Sequence, residues 1–158
     1  MNKLICVGQA VVWVPGEKME ISYHTSCNAR DWHRVKEILK TVGMGHHSVR
    51  SHQKAFEASH TTIFAHRGDQ LVGFGRAISD GQYQAAIYDC AVMPEFQGRG
   101  IGSEIVRRLV ARLTHCNIIL YASPGREGFY EQHGFARMKT GMALFLEMET
   151  KRERGFIE

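Results

Sequence analysis

The most informative segment of this sequence is Gln97-Gly98-Arg99-Gly100-Ile101-Gly102-Ser103. Its three alternate glycines allow a tight turn and leave backbone N–H groups uncovered, so that several of them can point at one anion. The residues that follow predict a long amphipathic helix, whose free first-turn donors and positive dipole end favour the same ligand. The pattern indicates a phosphate or pyrophosphate site. The alternative interpretation is that these glycines only form a strand-to-helix turn.

The segment ahead of the loop, residues 85–93, predicts a strand in the centre of a sheet because it is apolar on both alternating faces. Strict alternation places Ile87 and Ala91 on one face and Tyr88, Cys90 and Val92 on the other. The loop then continues from Pro94 to Arg99. This strand and this loop form the centre of the predicted fold.

The remaining periodicities predict a mixed α/β (α+β) order in which helices interrupt a largely antiparallel set of strands. Strands are predicted at 21–24, 61–66, 71–78, 117–122 and 142–148, the fourth of them buried. Helices are predicted from a cap at Asn28 to Val42 and at 49–58, 101–113 and 127–133. Gly68-Asp69 and Asp80-Gly81 are the expected turns between strands. We expect a single domain over residues 1–158, with a core at 19–148 and 1–18 as a possible appendage.

Composition narrows the class of protein. The chain has 158 residues, 44% apolar and 23% charged, which suits one soluble domain, and no apolar run is long enough to span a membrane. A net charge of +4 without a basic block argues against nucleic-acid binding. The four cysteines are far apart, which predicts reduced thiols in a cytoplasm. The nine histidines show no metal-ligand spacing, so we expect no metal.

Two segments resemble the GNAT superfamily of N-acetyltransferases. Residues 92–102 are similar to its acyl-coenzyme A signature, in which the loop reads Gln/Arg-x-x-Gly-x-Gly/Ala. Gly128-Phe129-Tyr130-Glu131-Gln132-His133-Gly134-Phe135 is similar to the Phe-Tyr-x-x-x-Gly-Phe segment that follows the fifth strand of the family. The resemblance covers about residues 21–148. It implies a GNAT-like central sheet, splayed at the central strand, and acetyl-CoA as co-substrate.

The resemblance also implies where the coenzyme lies. Its pyrophosphate would meet backbone N–H groups of the glycine loop, and its pantetheine arm would pair with the central strand like an added strand. Free main-chain donors there would bind the thioester carbonyl. The expected coenzyme-binding residues are Cys90, Ala91, Val92, Gln97, Gly98, Arg99, Gly100, Ile101, Gly102 and Ser103.

Two catalytic residues are implied for amine acetylation. Tyr130 matches the family tyrosine that acts as general acid beside the sulfur, and its alternative is a core aromatic residue. Asp89 matches a position where many relatives carry an acid near the acceptor, so it is the candidate base. Its alternative is an ion pair that holds the sheet. His46 and His47, in the glycine-rich link between the first helices, are the other candidates for the base.

Three further positions have open interpretations. Cys90 is expected to be an inert buried thiol rather than an acyl-accepting nucleophile, because the strand offers no activating partner. Arg99 and Arg126 either bind a coenzyme phosphate or are solvated loop residues.

Many relatives carry an Asn that contacts the coenzyme ahead of the Phe-Tyr segment, and this chain has none there. Ser123 or the backbone near Gly125 is the expected substitute.

The predicted function is transfer of an acetyl group from acetyl-CoA to a primary amine of a small molecule or peptide, by direct attack in a ternary complex. One alternative is a weakly catalytic module that binds acyl-CoA as a sensor or regulator. Another is a protein N-acetyltransferase, which would need an open groove. The family also leads us to expect a possible homodimer. The sequence does not identify the amine.

Overall fold

The structure is a computed structural model and describes residues 6–7, 10–11, 20–45 and 47–158. Its strands are β1 (Cys6–Val7), β2 (Ala10–Val11), β3 (Ser22–His24), β4 (Thr61–Arg67), β5 (Gln70–Ser79), β6 (Gln84–Val92) and β7 (Asn117–Ile119). Its helices are α1 (Trp32–Thr41), α2 (Val49–Glu57), α3 (Ile101–Ala111), α4 (Glu127–Glu131) and α5 (Met148–Glu153). A 3₁₀ turn covers Pro94–Phe96.

Five strands form one sheet in the order β3-β4-β5-β6-β7, and β1 pairs with β2 separately. Every neighbouring pair in the large sheet is antiparallel except β6 and β7, which run parallel. The helices α1, α2 and α3 follow from amphipathic patterns whose apolar residues are buried in the core. The predicted mixed, mostly antiparallel sheet flanked by helices is therefore confirmed.

Helices cover both faces of this sheet. Phe74 of β5 packs against Phe56 of α2, with ring centroids 5.4 Å apart. The glycines on either side of Phe74 face α3 instead. A Cβ atom at Gly75 would lie 2.8 Å from Ile105 of α3, so only glycine lets the helix approach the strand this closely. The sheet is therefore held between α2 on one side and α3 on the other.

The turns between the central strands are those that the sequence predicts. Gly68 has a φ of 55° in the connection between β4 and β5. Between β5 and β6, the Asp80 carboxylate accepts hydrogen bonds from the backbone N–H groups of Gln82, Tyr83 and Gln84. These hydrogen bonds lower the pKa of Asp80. Local turn chemistry therefore fixes the order of the three central strands.

The first helix is capped by a different residue from the one expected. Asn28 is too far from the first helical residue to cap it. Instead the Asp31 carboxylate accepts a hydrogen bond of 3.0 Å from the backbone N–H of Arg34. An acceptor directly before the first helical residue satisfies a free N–H group of the first turn. The prediction of Asn28 as the cap was therefore wrong.

Strand β7 is shorter and more exposed than predicted. It covers Asn117–Ile119 instead of residues 117–122, and Ile119 is 49% exposed. It pairs only with the beginning of β6, through Gln84 to Ala86. The hydrophobic run continues beyond the point where a neighbouring strand is available, so hydrophobicity alone overestimated both the length and the burial.

The strand predicted at 142–148 is absent, because no neighbouring strand pairs with this segment in the described part of the chain. Met142, Leu144 and Leu146 are 94% or more exposed, and α5 begins at Met148. The apolar residues do alternate, but alternation makes a strand only where a partner completes its hydrogen bonds.

Most of the predicted appendage, residues 1–18, lies outside the described residues. Only β1 and β2 are described there, and they pair antiparallel with Cys6 opposite Val11. Within the described ranges, no helix has the length and apolar character needed to cross a membrane.

Candidate active site

A β-bulge interrupts the central strand at Asp89. Phe74 pairs with Ala91 and Arg76 pairs with Tyr88, so β6 has one residue more than β5 between these pairs. Asp89 takes a φ of 51°, a left-handed conformation that is strained for most residues other than glycine. Because of the extra residue, Ala91 shares a face with Tyr88, and the strict alternation predicted for β6 was wrong.

The sheet opens beside this bulge. The parallel pairing of β6 with β7 ends at Ala86 and Ile119. In the described residues, the edge of β6 from Ile87 onward therefore has no strand partner on the β7 side. A bulge increases local twist, which accounts for the divergence of the two strands. The predicted pantetheine-binding residues Cys90, Ala91 and Val92 all lie on this open part of β6.

The glycine loop closes one end of the opening. Gly98 and Gly100 have φ values of 71° and 80°, and a Cβ atom at either would meet no atom within 4 Å. No side chain caps the beginning of α3 at Gly100, so the N–H groups of the first turn remain available. Ile101, Gly102 and Ser103 form this first turn. The loop backbone thus leaves N–H groups uncovered, and its role as an anion-binding site stays a prediction.

The side chain of Gln97 holds the glycine loop against the central strand. The Gln97 side-chain amide donates a 2.8 Å hydrogen bond to the carbonyl oxygen of Val92, which ties the loop to β6. The predicted role of Gln97 in coenzyme binding stays a prediction. Arg99 lies exposed in the loop. In the first turn of α3, hydrogen bonds from Arg107 and Arg108 lower the pKa of Glu104 to about 2.

Close packing of α4 on α3 positions Tyr130. A Cβ atom at Gly102 would be 3.5 Å from the Phe129 ring, and the Phe129 and Tyr130 ring centroids are 5.0 Å apart. Burial raises the pKa of Tyr130, and the neighbouring Cys90 contributes to the shift. The phenol therefore stays protonated over the neutral range, as a general acid must. A Cβ atom at Gly102 would also be 3.7 Å from Val92, so the packing of Phe129 on Gly102 brings Tyr130 close to the open part of β6.

Burial also raises the pKa of the Cys90 thiol to about 12. A thiol that stays protonated at neutral pH is a poor nucleophile. This agrees with the interpretation of Cys90 as an inert thiol. The thiols of Cys27 and Cys116 are also free.

Asp89 forms an ion pair across the bulge. Its Oδ2 atom accepts a 2.5 Å hydrogen bond from Nε of Arg76. The Arg76 guanidinium is also 5.4 Å from the Tyr88 ring centroid and donates to the Ser59 hydroxyl at 3.3 Å. The ion pair that was the alternative interpretation of Asp89 is therefore observed. The role of Asp89 as a base stays a prediction. The sequence could not reveal Arg76, because the pairing depends on the register of β5 with β6.

His52 was missed by the sequence analysis. It lies on α2, is 5% exposed, and its Nε2 atom has no hydrogen-bond partner in the described part of the molecule. Burial lowers its pKa, whereas the negative charge of Asp89 acts in the opposite direction. His47 is exposed and its ring centroid lies 5.8 Å from that of His52. His46 lies outside the described residues. His52 lies four residues before Phe56, and this helical spacing could have indicated that His52 faces the core.

The stretch that departs from the family pattern forms a turn before α4. The backbone N–H of Arg126 donates to the carbonyl oxygen of Ser123 at 2.9 Å, and Gly125 has a φ of 82°. Coenzyme contacts from Ser123 and Arg126 stay predictions. Among the residues described, no cluster of three or more His, Cys, Asp or Glu side chains could hold a metal ion.

An open, bulged central strand, a glycine loop and a half-buried tyrosine are the features expected of the coenzyme-binding and acyl-transfer region of an acyltransferase. The family model described as "Acetyltransferase (GNAT) family" matches residues 29–135. The chain therefore belongs to the GNAT family of acetyltransferases. The resemblance stated from the two sequence motifs is confirmed.

Two curated relatives are similar over the same region. The chain is 34% identical over 109 residues to serotonin N-acetyltransferase 2, chloroplastic, of Oryza sativa subsp. japonica, covering 65% of this chain and 54% of that protein. It is 31% identical over 108 residues to an uncharacterized ycf52-like N-acetyltransferase of Prochlorococcus marinus, covering 64% of this chain and 60% of that protein. The chain thus spans between 54% and 60% of the length of these relatives.

Solved structures show the same fold. A probable acetyltransferase of unknown function from meticillin-resistant Staphylococcus aureus superposes with a TM-score of 0.72 at 21% identity. The superposition covers 80% of this chain and 99% of that one. At this identity the similarity supports the arrangement of strands and helices alone.

Proposed function

We propose that this protein transfers an acetyl group from acetyl-CoA to a primary amine of a small molecule or peptide. The observation that carries the proposal is the opening between β6 and β7, with the glycine loop at one end and Tyr130 beside it. Such an opening offers unpaired main-chain groups to an extended ligand and backbone N–H donors to its phosphates.

The chain's own residues suit this co-substrate. The first-turn N–H groups of α3 and the left-handed Gly98 and Gly100 suit the pyrophosphate, and the open edge of β6 suits the pantetheine arm. The thioester supplies an activated acetyl group with a thiolate leaving group. Main-chain donors of β6 that are free to meet the carbonyl oxygen would stabilise negative charge developing there.

The reaction needs one side chain that accepts a proton and one that donates a proton. The incoming amine must be neutral, because an ammonium nitrogen has no lone pair, and it loses a proton as the C–N bond forms. Asp89, His47 or the buried His52 is the group proposed to take this proton, directly or through water. As the C–S bond breaks, the hydroxyl of Tyr130 donates a proton to the sulfur, and coenzyme A leaves as a thiol.

Thiol release measured against a panel of amines tests this proposal with the variant Tyr130→Phe. Loss of a general acid should lower kcat by roughly 10²-fold or more while coenzyme affinity stays near the wild-type value. Tyr83→Phe is the matched control, because Tyr83 is an exposed tyrosine in the β5–β6 turn.

Coenzyme binding without turnover of any amine would favour the sensor instead. Turnover only of peptides and proteins would favour the protein acetyltransferase. The cytoplasmic location and the homodimer stay predictions.

A further inference from the structure

Three aromatic rings surround the ammonium group of Lys151 in α5. The Nζ atom lies 4.3 Å from the ring centroid of Phe156, 5.0 Å from that of Phe145 and 5.9 Å from that of Tyr121. Tyr121 also contacts Phe145 and Phe156 edge to face, at 5.5 and 6.0 Å. We call Tyr121, Phe145 and Phe156 the aromatic cage. Each distance falls within the range, up to about 6 Å, over which a ring face attracts a cation.

The Lys151 ammonium is recognised by these rings and not by a carboxylate. Within the part of the chain that the structure describes, no acidic side chain lies within ion-pair distance of Lys151. The nearby Glu149 pairs with Arg152 instead, at 2.5 Å. The aromatic cage is therefore a preformed site for an ammonium group, of the kind that proteins use to recognise cationic ligands.

The aromatic cage adjoins the opening beside Asp89. The rings of Tyr121 and Tyr88 are 5.9 Å apart, and Tyr88 lies against the Arg76 guanidinium that pairs with Asp89. Burial raises the pKa of Tyr121, and the charge of Asp89 contributes to that shift. Tyr88 stands on β6 and Tyr121 follows β7, so the two tyrosines join the diverging strands. A ligand in the cage would therefore lie next to the proposed acceptor site.

The segment that carries Lys151 reaches both borders of this region. Arg154 donates a 3.1 Å hydrogen bond to the carbonyl oxygen of Gly43, in the link between α1 and α2. A Cβ atom at Gly155 would lie 3.7 Å from Pro124, in the turn before α4. The C-terminal segment thus connects the link that borders His47 with the turn that leads to Tyr130. Its position lets Lys151 compete with an incoming ligand.

We propose that the aromatic cage is a cation subsite for the acetyl acceptor, and that Lys151 is an internal occupant which a cationic acceptor displaces. The inference rests on the proposed acetyl transfer. The substrate class is an alkyl amine with a second positive charge. One ammonium group would lie in the cage, and the other amine would react in its neutral form near Asp89. A diamine is the simplest compound of this class.

Calorimetry with 1,4-diaminobutane tests the competition on the full chain saturated with coenzyme A, which carries no acetyl group and so permits no turnover. Lys151→Gln removes the internal cation and should tighten diamine binding about three- to tenfold. Arg152→Gln removes one positive charge from the same helix outside the cage and should bind like the wild type. Equal affinity of the two variants, or no diamine binding by any of them, would overturn the inference.

A second substitution separates the aromatic cage from simple uncovering of the site. Adding Phe156→Leu to Lys151→Gln removes one ring from the cage and should abolish the gain in affinity. If Phe156→Leu alone tightened binding as much as Lys151→Gln, loosening of the segment would explain both results and the cage would not be a cation subsite.

Butylamine, a monoamine without the second charge, keeps this test distinct from that of the proposed function. Acetylation of butylamine by the wild type, with unchanged diamine affinity in Lys151→Gln, would reject only the cation subsite. Failure to acetylate any amine, with coenzyme binding intact, would reject the transferase itself.

Discussion

Asp89 combines a left-handed backbone with a carboxylate paired to Arg76. Aspartate and asparagine tolerate this conformation better than most residues, because their short polar side chains can form local hydrogen bonds. Asparagine also keeps an oxygen that can accept from Arg76 Nε. Asp89→Asn therefore preserves most of the structure around the bulge while it removes the basic group.

We expect Asp89→Asn to lower kcat for a good amine substrate by roughly 10²-fold, as for loss of a general base, with coenzyme affinity little changed. Steady-state kinetics and calorimetry measure the two quantities. Asp69→Asn, in the exposed β4–β5 turn, is the control and should behave like the wild type. Wild-type kcat in Asp89→Asn would leave the carboxylate with the structural role of the Arg76 pair and move the base to a histidine.

At the level of single residues, the sequence could propose candidates within contiguous motifs but not contacts that only folding creates. Gly100 and Tyr130 lie in motifs with local spacing, so the sequence alone could propose them as site residues. Arg76 meets Asp89 only through the register of two strands, and Lys151 meets Tyr121 across 30 residues of chain. Contacts of this kind have no signature in a single sequence.

The glycine loop needs a left-handed backbone conformation at Gly100, and this requirement can be tested by substitution. Gly100 and Gly68 both have positive φ, and a Cβ atom at either would meet no atom within 4 Å. Gly100→Leu and Gly68→Leu should therefore lose similar stability, of about 1–2 kcal/mol, from the left-handed conformation. Only Gly100→Leu should weaken coenzyme A binding, because its side chain would cover the loop's N–H groups.

Urea unfolding and calorimetry give the two readouts for this pair. Equal coenzyme A affinity in Gly100→Leu and Gly68→Leu would contradict the assignment of the loop. Equal losses of stability, in contrast, would show only that both turns require glycine.

Elements that local sequence determines were predicted more accurately than elements that depend on a neighbouring strand. Helix α3 and the strands β4, β5 and β6 were predicted within a few residues, because local periodicity and turn residues determine them. The strand predicted at 142–148 failed because a strand also needs a neighbour, which periodicity does not report. Sequence pattern therefore defined the centre of the sheet better than its β7 edge.

The pH dependence of stability belongs to the whole molecule. Burial is the main cause that lowers the pKa of both His52 and His66, and each has a buried ring nitrogen without a partner in the described residues. The unfolded chain, with histidine pKa values of about 6.5, binds more protons than the folded protein below that pH. Stability should therefore be lost as the pH falls below about 6.5 toward the lowered pKa values of the folded state.

Urea midpoints measured between pH 8 and about pH 5 test this expectation. His52→Leu should make the decline shallower, because it removes a group that must stay neutral when folded. Gln53→Ala, at the next position of α2, is the control and should keep the wild-type decline. An unchanged decline in His52→Leu would show that the proton uptake on unfolding comes from other groups.

The extra residue in β6 also determines where the chain tolerates changes of length. Deletion of Asp89 would leave one residue on each strand between the Phe74–Ala91 and Arg76–Tyr88 pairs, so the ladder of β5 and β6 would become regular. The twist that turns β6 away from β7 would then be lost, and the gap between them would close. Homologues that have this opening between β6 and β7 should therefore keep the extra residue in β6.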